Sequence, residues 1–266
     1  MKFNLHTHTV RCKHAQDPDA QYVKCAIRAG FSDLGFSDHG PLPYADGYIS
    51  HIRMGIGETE GYLGSIDSLR ARFEGQIRLH TGFEYEYFPA FAPFLRDEIL
   101  PRVDYLILGN HFDLDERTGM YFGACRTPAD IRLYLKRTVA GMQSGLYRYL
   151  AHPDLFLYAY PSFDAAAREV SRELCRAAKA LGMPLEYNLL GVEKQRAGVP
   201  GLGYPCRHFF EVAAEEGATA LIGVDAHRAD ALESGDFDDA EAYLGALGLA
   251  RIGLDSLLGE VYYRSR

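Results

Sequence analysis

Tryptophan is absent from the 266 residues, and no apolar run approaches the roughly 18 to 20 residues of a membrane span. The five cysteines are odd in number and include no Cys-x-x-Cys pair. That pattern suggests neither a disulfide framework nor a cysteine zinc site. Positive charge is also short: 28 Lys and Arg stand against 36 Asp and Glu, a formal charge of −8. A general nucleic-acid binder carries a basic face, and no basic, aromatic track for a single strand is present either. An anionic small substrate stays open, because bound divalent cations can dominate a local field. The basic-then-apolar layout of a signal peptide is missing, as are low-complexity tracts and clean repeats. These absences predict a reducing, cytoplasmic setting with no membrane partner and no nucleic-acid polymer. At 47% hydrophobic, the chain is expected to fold as a single domain over 1–266.

What the sequence has is histidine in a pattern. Asn4-Leu5-His6-Thr7-His8-Thr9 reads as a short strand, and side chains alternate with period two, so His6 and His8 share a face. Further along, apolar strand-like runs alternate with amphipathic helical ones. Strands are expected at 31–36, 77–82, 103–108, 147–151, 184–187 and 218–224. Helices are expected near 19–29, 58–73, 91–100, 128–143, 164–181, 206–216 and 238–248, with a Gly-rich loop from Asn188 to Pro205 and a polar tail. Strand–helix alternation implies parallel strands and right-handed crossovers. The architecture expected is a barrel of about seven βα units, closed or distorted, with catalytic groups at the C-terminal ends of the strands.

At those strand ends stand His6, His8, His14, His39, Glu84, His111, His152, Asp225 and His227. They include seven of the ten histidines. Each alone has an ordinary structural use; nine at the same end of successive strands argue for a metal site. Imidazole with carboxylate suits Zn²⁺, Mn²⁺ or Fe²⁺, and nine ligands imply two or three ions. Cys12 lies between His8 and His14, near enough in sequence to reach a metal, but is not counted as a ligand. His51, His80 and His208 lack the placement and are read as structural.

Together His6-x-His8-Thr9, Ser37-Asp38-His39, Gly82-Phe83-Glu84, Asn110-His111, Ala151-His152-Pro153 and Asp225-Ala226-His227 resemble the PHP superfamily (polymerase and histidinol phosphatase). The resemblance runs from the first residues to about His227. It implies a distorted (β/α)7 barrel with a trinuclear site at the C-terminal ends of the strands. One metal would take His6, His8, Glu84 and Asp225. A second would share Glu84 and take His111 and His152, and a third would be held by His14, His39 and His227. The implied chemistry is phosphoester hydrolysis by a metal-bridging hydroxide, with Asp225 or His39 passing a proton to the leaving alkoxide.

Within the superfamily, Gly35-Phe36-Ser37-Asp38-His39, the 104–112 stretch and Pro184-Leu185-Glu186-Tyr187-Asn188 look most like histidinol-phosphatases of histidine biosynthesis. The expected substrate is therefore L-histidinol phosphate. A nucleotide or other small phosphoester is the second expectation, and a non-catalytic metal-binding domain the third. Three positions depart from that subfamily. Gly109-Asn110 stand where a serine is common, and Phe156-Leu157 and Glu193 stand where arginines are common. Lys194 or Arg196 is expected to take over the phosphate, with Arg11 a further candidate.

Overall fold

The computed structural model describes residues 2–259. The last residues of the expected polar tail, 260–266, lie outside the described residues. The chain divides into two compact units. Unit 1 comprises the chain up to Tyr85, Pro93–Ile107 and Gly223–Gly235. Unit 2 comprises Glu86–Ala92, Leu108–Ile222 and the chain from Asp236 onward.

Unit 1 opens with β1 (Phe3–Asn4), α1 (Asp19–Arg28), β2 (Asp33–Phe36), α2 (Thr59–Arg72) and β3 (Arg78–Tyr85). β1 pairs β2 in parallel, Phe3 opposite Asp33, and β2 pairs β3 in parallel, Asp33 opposite Arg78. The parallel alignment continues beyond the strands as single bridges, Thr7 with Ala226 and His39 with Glu84. Ala92–Phe94 is the short helix α3, which runs on into a π turn at Leu95–Ile99. β4 (Tyr105–Leu108) follows, all four residues buried, as its apolar run requires. α1 ends where Gly30 takes φ +76°, the left-handed conformation that glycine adopts without strain.

In unit 2, α4 (Pro128–Gln143) starts from a capping box. Thr127 accepts from the Asp130 amide, Asp130 reaches back to the Thr127 amide, and Pro128 fills the first helical position. β5 (Tyr149–Leu150) pairs β6 (Leu185–Asn188) in parallel, with α5 (Ala165–Ala180) between them in the chain. Asp164 caps α5, whose buried stripe is Ala167, Val170, Ser171, Leu174, Cys175 and Ala178 at helical spacing. α6 (Leu189–Ala197), α7 (Arg207–Glu216), β7 (Thr219–Gly223), α8 (Asp236–Ala246), β8 (Ala250–Arg251) and α9 (Leu254–Leu258) complete the order. β7 pairs β8 in parallel.

The α/β expectation holds, with three differences. Eight strands are present among the described residues, not seven, because the tail read as polar supplies β8 and α9. β3 runs on to Tyr85, so Glu84 lies within the strand and not beyond it. The Gly-rich segment after Asn188 is helical to Ala197. The Asn188 side chain accepts from the Gly191 amide and starts the helix that glycine content argued against.

A tyrosine explains two of the glycines in the motifs. The Tyr105 hydroxyl lies 2.7 Å from the Leu5 carbonyl and 3.2 Å from that of Phe36. A Cβ on Gly35 would stand 2.2 Å from that hydroxyl, and one on Gly82 would stand 2.5 Å from the ring. No helix of the described residues is long and apolar enough to cross a membrane.

At the start of β2, Asp33 is fully buried between Arg78 (2.6 Å) and His80 (2.9 Å). Burial pushes its carboxyl up, but His80, Arg78 and Ser32 outweigh it and hold the pKa at about 2. The folded pKa lies below the ordinary 3.8, so this stabilisation is present above about pH 4 and is lost as pH falls towards 2. Asp33→Asn should cost about 2 kcal/mol in urea unfolding at pH 7, and the gap from wild type should shrink at pH 3.

Candidate metal centre

The unit 1 side chains are held by backbone-directed hydrogen bonds. Asn4 donates to the His6 carbonyl (3.1 Å) and the Thr7 hydroxyl (2.9 Å), and its Oδ1 accepts from the Val224 amide (2.9 Å). The His8 amide donates to the Ala226 carbonyl and the Ala226 amide to that of His6, so both histidine-bearing segments are locked in register. Ser37 accepts from the Thr7 amide, and Asp38 accepts from both the amide and hydroxyl of Thr9. The Ser-Asp-His triplet therefore contributes two anchoring side chains and one imidazole. Sequence reasoning missed Asn4 and Asp38 as positioning residues; their place within the motifs was the signal.

Within unit 1 the structure brings together His6, His8, His14, His39, Glu84, Asp225 and His227. Glu84 Oε2 faces three ring nitrogens, at 3.4 Å (His6 Nε2), 3.5 Å (His8 Nε2) and 3.2 Å (His39 Nδ1). Asp225 Oδ1 lies 3.4 Å from His6 Nε2 and 3.1 Å from His8 Nε2. The His8 ring stacks on His227 at 4.1 Å between centroids. His8 is fully buried, yet neither of its ring nitrogens makes a well-aligned hydrogen bond. Asp225 takes φ +53°, a left-handed conformation costing on the order of 1 to 3 kcal/mol, which is the kind of strain that collects at functional sites.

Two of the rings have fixed tautomers. His14 Nδ1 donates to the Cys12 carbonyl (2.7 Å) and His227 Nδ1 to the Asp225 carbonyl (3.0 Å), leaving each Nε2 lone pair for a cation. Donor atoms of His6, His8 and Asp225 lie within 4.8 Å of one another, as do those of His8, His39 and His227. Carboxylate oxygens and imidazole lone pairs converging in a buried space repel unless a cation or protons sit among them. This donor set fits divalent metal ions of the zinc type.

The electrostatics agree. Burial pushes the His8 imidazole down, but Asp225 and Asp38 outweigh it and hold it well above the usual histidine range. Burial pushes Asp225 up, yet His6 and His8 hold it well below the carboxylate range. Burial, with His8 beside it, lowers His227 to about 3.

Unit 2 carries a second pair. The His111 and His152 rings lie 4.7 Å apart. His111 Nδ1 is oriented by Glu86 Oε1 at 3.0 Å, and the His152 amide donates to buried Glu186 (3.0 Å), which also accepts from Asn188 (2.8 Å). Glu86, just past the end of β3, was missed. Each of the three basic candidates has a protein partner. Arg11 pairs with Asp19 at 2.9 Å, Arg196 pairs with Asp236, and Lys194 donates to the Tyr204 hydroxyl at 3.1 Å. The three histidines read as structural include His80, bound to Asp33, and His208, bound to Glu211 at 3.0 Å.

Metal binding at this cluster should expel protons, His8 foremost. Zinc affinity, measured by chelator competition, should therefore rise between pH 6 and pH 8 by up to about tenfold per pH unit for each proton displaced. His8→Ala and Glu84→Ala should lower the metal content found by elemental analysis while the circular dichroism spectrum is retained. Unchanged metal content in both would remove the cluster from consideration.

A family model described as "PHP domain" matches residues 4–190. The histidinol-phosphatase of Bacillus subtilis (strain 168) is 28% identical over 251 residues, covering 84% of this chain and 92% of that protein. The "probable histidinol-phosphatase" of Deinococcus radiodurans is 27% identical over 249 residues, covering 84% of this chain and 85% of that one. The solved structure of histidinol phosphate phosphatase from Lactococcus lactis, complexed with zinc, L-histidinol and phosphate, superposes with a TM-score of 0.69. That pair is 19% identical, over 94% of this chain and 95% of the other. Likeness at that identity shows the fold, and it is the fold that the motifs implied. Since the family model spans well over half of its length, the chain belongs to the PHP domain family.

Proposed function

We propose that the chain is a metal-dependent phosphomonoesterase whose substrate is L-histidinol phosphate. The observation that carries the reading is the buried convergence of Glu84 and Asp225 on the imidazoles of His6, His8 and His39. The histidinol-phosphatase relatives at 27% and 28% identity support the choice of substrate. Divalent ions held by His6, His8, His14, Glu84, Asp225 and His227 would supply Lewis-acid polarisation of the phosphoryl group and lower the pKa of water. His111 and His152 offer further ligands, with Glu86 and Glu186 orienting them.

Of the two candidates for proton transfer, Asp225 is held ionised and suits a ligand role. His39 retains some contact with solvent, at 8% exposure, with Nδ1 against Glu84. It is the better placed group to pass a proton to the leaving alkoxide. For the phosphate, Lys194 is the stronger of the basic candidates. Its ammonium lies over the Tyr204 ring and on the Tyr204 hydroxyl, and that ring stands 6.0 Å from the His152 ring. Arg196, 60% exposed and paired with Asp236, reads as a surface ion pair.

Steady-state comparison of metal-loaded protein on L-histidinol phosphate, nucleotides and sugar phosphates tests the substrate. A kcat/KM of about 10⁴ M⁻¹s⁻¹ or more for histidinol phosphate, with the others far lower, is expected. Equal slow turnover of all would move the reading to another small phosphoester. Lys194→Ala should raise KM roughly 10- to 150-fold, as expected for a charge-assisted contact of about 1.5 to 3 kcal/mol, while Arg196→Ala should leave KM unchanged. The reverse result would return the phosphate to Arg196.

A further inference from the structure

We propose that Cys12 is a thiolate metal ligand, forming with His14 and His227 a sulfur–imidazole position beside the imidazole–carboxylate position of His6, His8 and Asp225. The inference rests on the metal reading given above, but not on the identity of the substrate.

Local chain geometry creates the arrangement. Thr9 caps the single 3-10 turn Val10–Cys12 and is itself tied to Asp38. Lys13 then takes φ +72°, which turns the chain back so that His14 Nδ1 reaches the Cys12 carbonyl. The result places Cys12 Sγ and one ring nitrogen each of His14 and His227 within 4.8 Å of one another. Cys12 Sγ stands in the same relation to His8 and Asp38. Cys12 is wholly buried, as is His8, whose ring nitrogens lack well-aligned hydrogen bonds and whose ring stacks on His227. Among the described residues, none of the other four cysteines joins such a group.

Chemistry separates the two positions. His14 and His227 both spend Nδ1 on backbone carbonyls, so each keeps its Nε2 lone pair for a cation, and with the sulfur the group offers three donors with no carboxylate required. A thiolate is a soft donor that favours zinc or iron over manganese, whereas the His6, His8 and Asp225 set accepts any of the three. Binding would replace the S–H bond by a sulfur–metal bond and release one proton to solvent. The protein should therefore hold zinc at one position against a manganese excess that exchanges the other.

The test uses the full chain loaded with cobalt for absorption and with zinc for X-ray absorption. The expected result is a thiolate-to-cobalt charge-transfer band in the near ultraviolet and a sulfur shell at about 2.3 Å from zinc. Cys12→Ser should abolish both, while Cys25→Ser, which alters a buried cysteine outside the group, should keep both. A shell of nitrogen and oxygen alone in the fully loaded wild type overturns the inference, as does a sulfur shell that survives Cys12→Ser. Should Cys12→Ser fail to fold, the wild-type spectra together with Cys25→Ser still decide. Turnover of histidinol phosphate is recorded in parallel. Its absence from a protein with a sulfur shell defeats the substrate reading and leaves the ligand in place.

Discussion

Three imidazole nitrogens face one oxygen of buried Glu84, and much of unit 1 exists to keep them there. Such a group is stable only with positive charge inside it, from bound cations or, in their absence, from protons. The raised His8 and the depressed Asp225 are two expressions of that demand. A cluster that draws protons into a buried site is, for the same reason, prepared to exchange them for metal.

Meeting the demand takes a rigid frame, because ligand atoms must be held to within a few tenths of an ångström. The frame consists of short polar bridges to backbone: Asn4 to the His6 and Val224 segments, Ser37 and Asp38 to the loop that bears His8. Beneath it, Tyr105 spans the carbonyls of Leu5 and Phe36 through space left by Gly35 and Gly82. The two motif glycines thus serve packing, while the residues that follow them serve chemistry. Left-handed backbone at non-glycine residues falls at Asp225, at Lys13 next to His14 and, in unit 2, at His152 with φ +30°.

In unit 2 a single helix separates two basic residues that stand two positions apart in the sequence. Asn188 nucleates α6, and α6 carries Lys194 to the Tyr204 hydroxyl while directing Arg196 to Asp236 on α8. One basic residue is therefore held beside the histidine-bearing segment, and the other is spent on the surface. Without a helix, the spacing of the two side chains would have left them equivalent.

Much of the α/β order was legible in the sequence, and so were the seven candidate residues that unit 1 gathers around Glu84 and Asp225. Helix ends at Gly30, Thr127 and Asp164 follow from caps that act over three or four residues, and buried strands such as 105–108 follow from unbroken apolar runs. Those seven residues were legible because His6-x-His8, Glu84 and Asp225-x-His227 repeat at the ends of apolar runs. What the sequence left open depended on contacts distant in the chain or on short polar caps. Asn188 overruled glycine content, β8 formed because Thr219 and Ala220 offered an edge to Ala250 and Arg251, and Arg11 was claimed by Asp19. Cys12 is the sharpest case. Its spacing from His8 and His14 only allows an approach; the left-handed turn at Lys13 and the arrival of His227, 215 positions later, decide it. Local propensity reaches a few residues along a chain, and a coordination shell closes only when folding brings remote donors to one point.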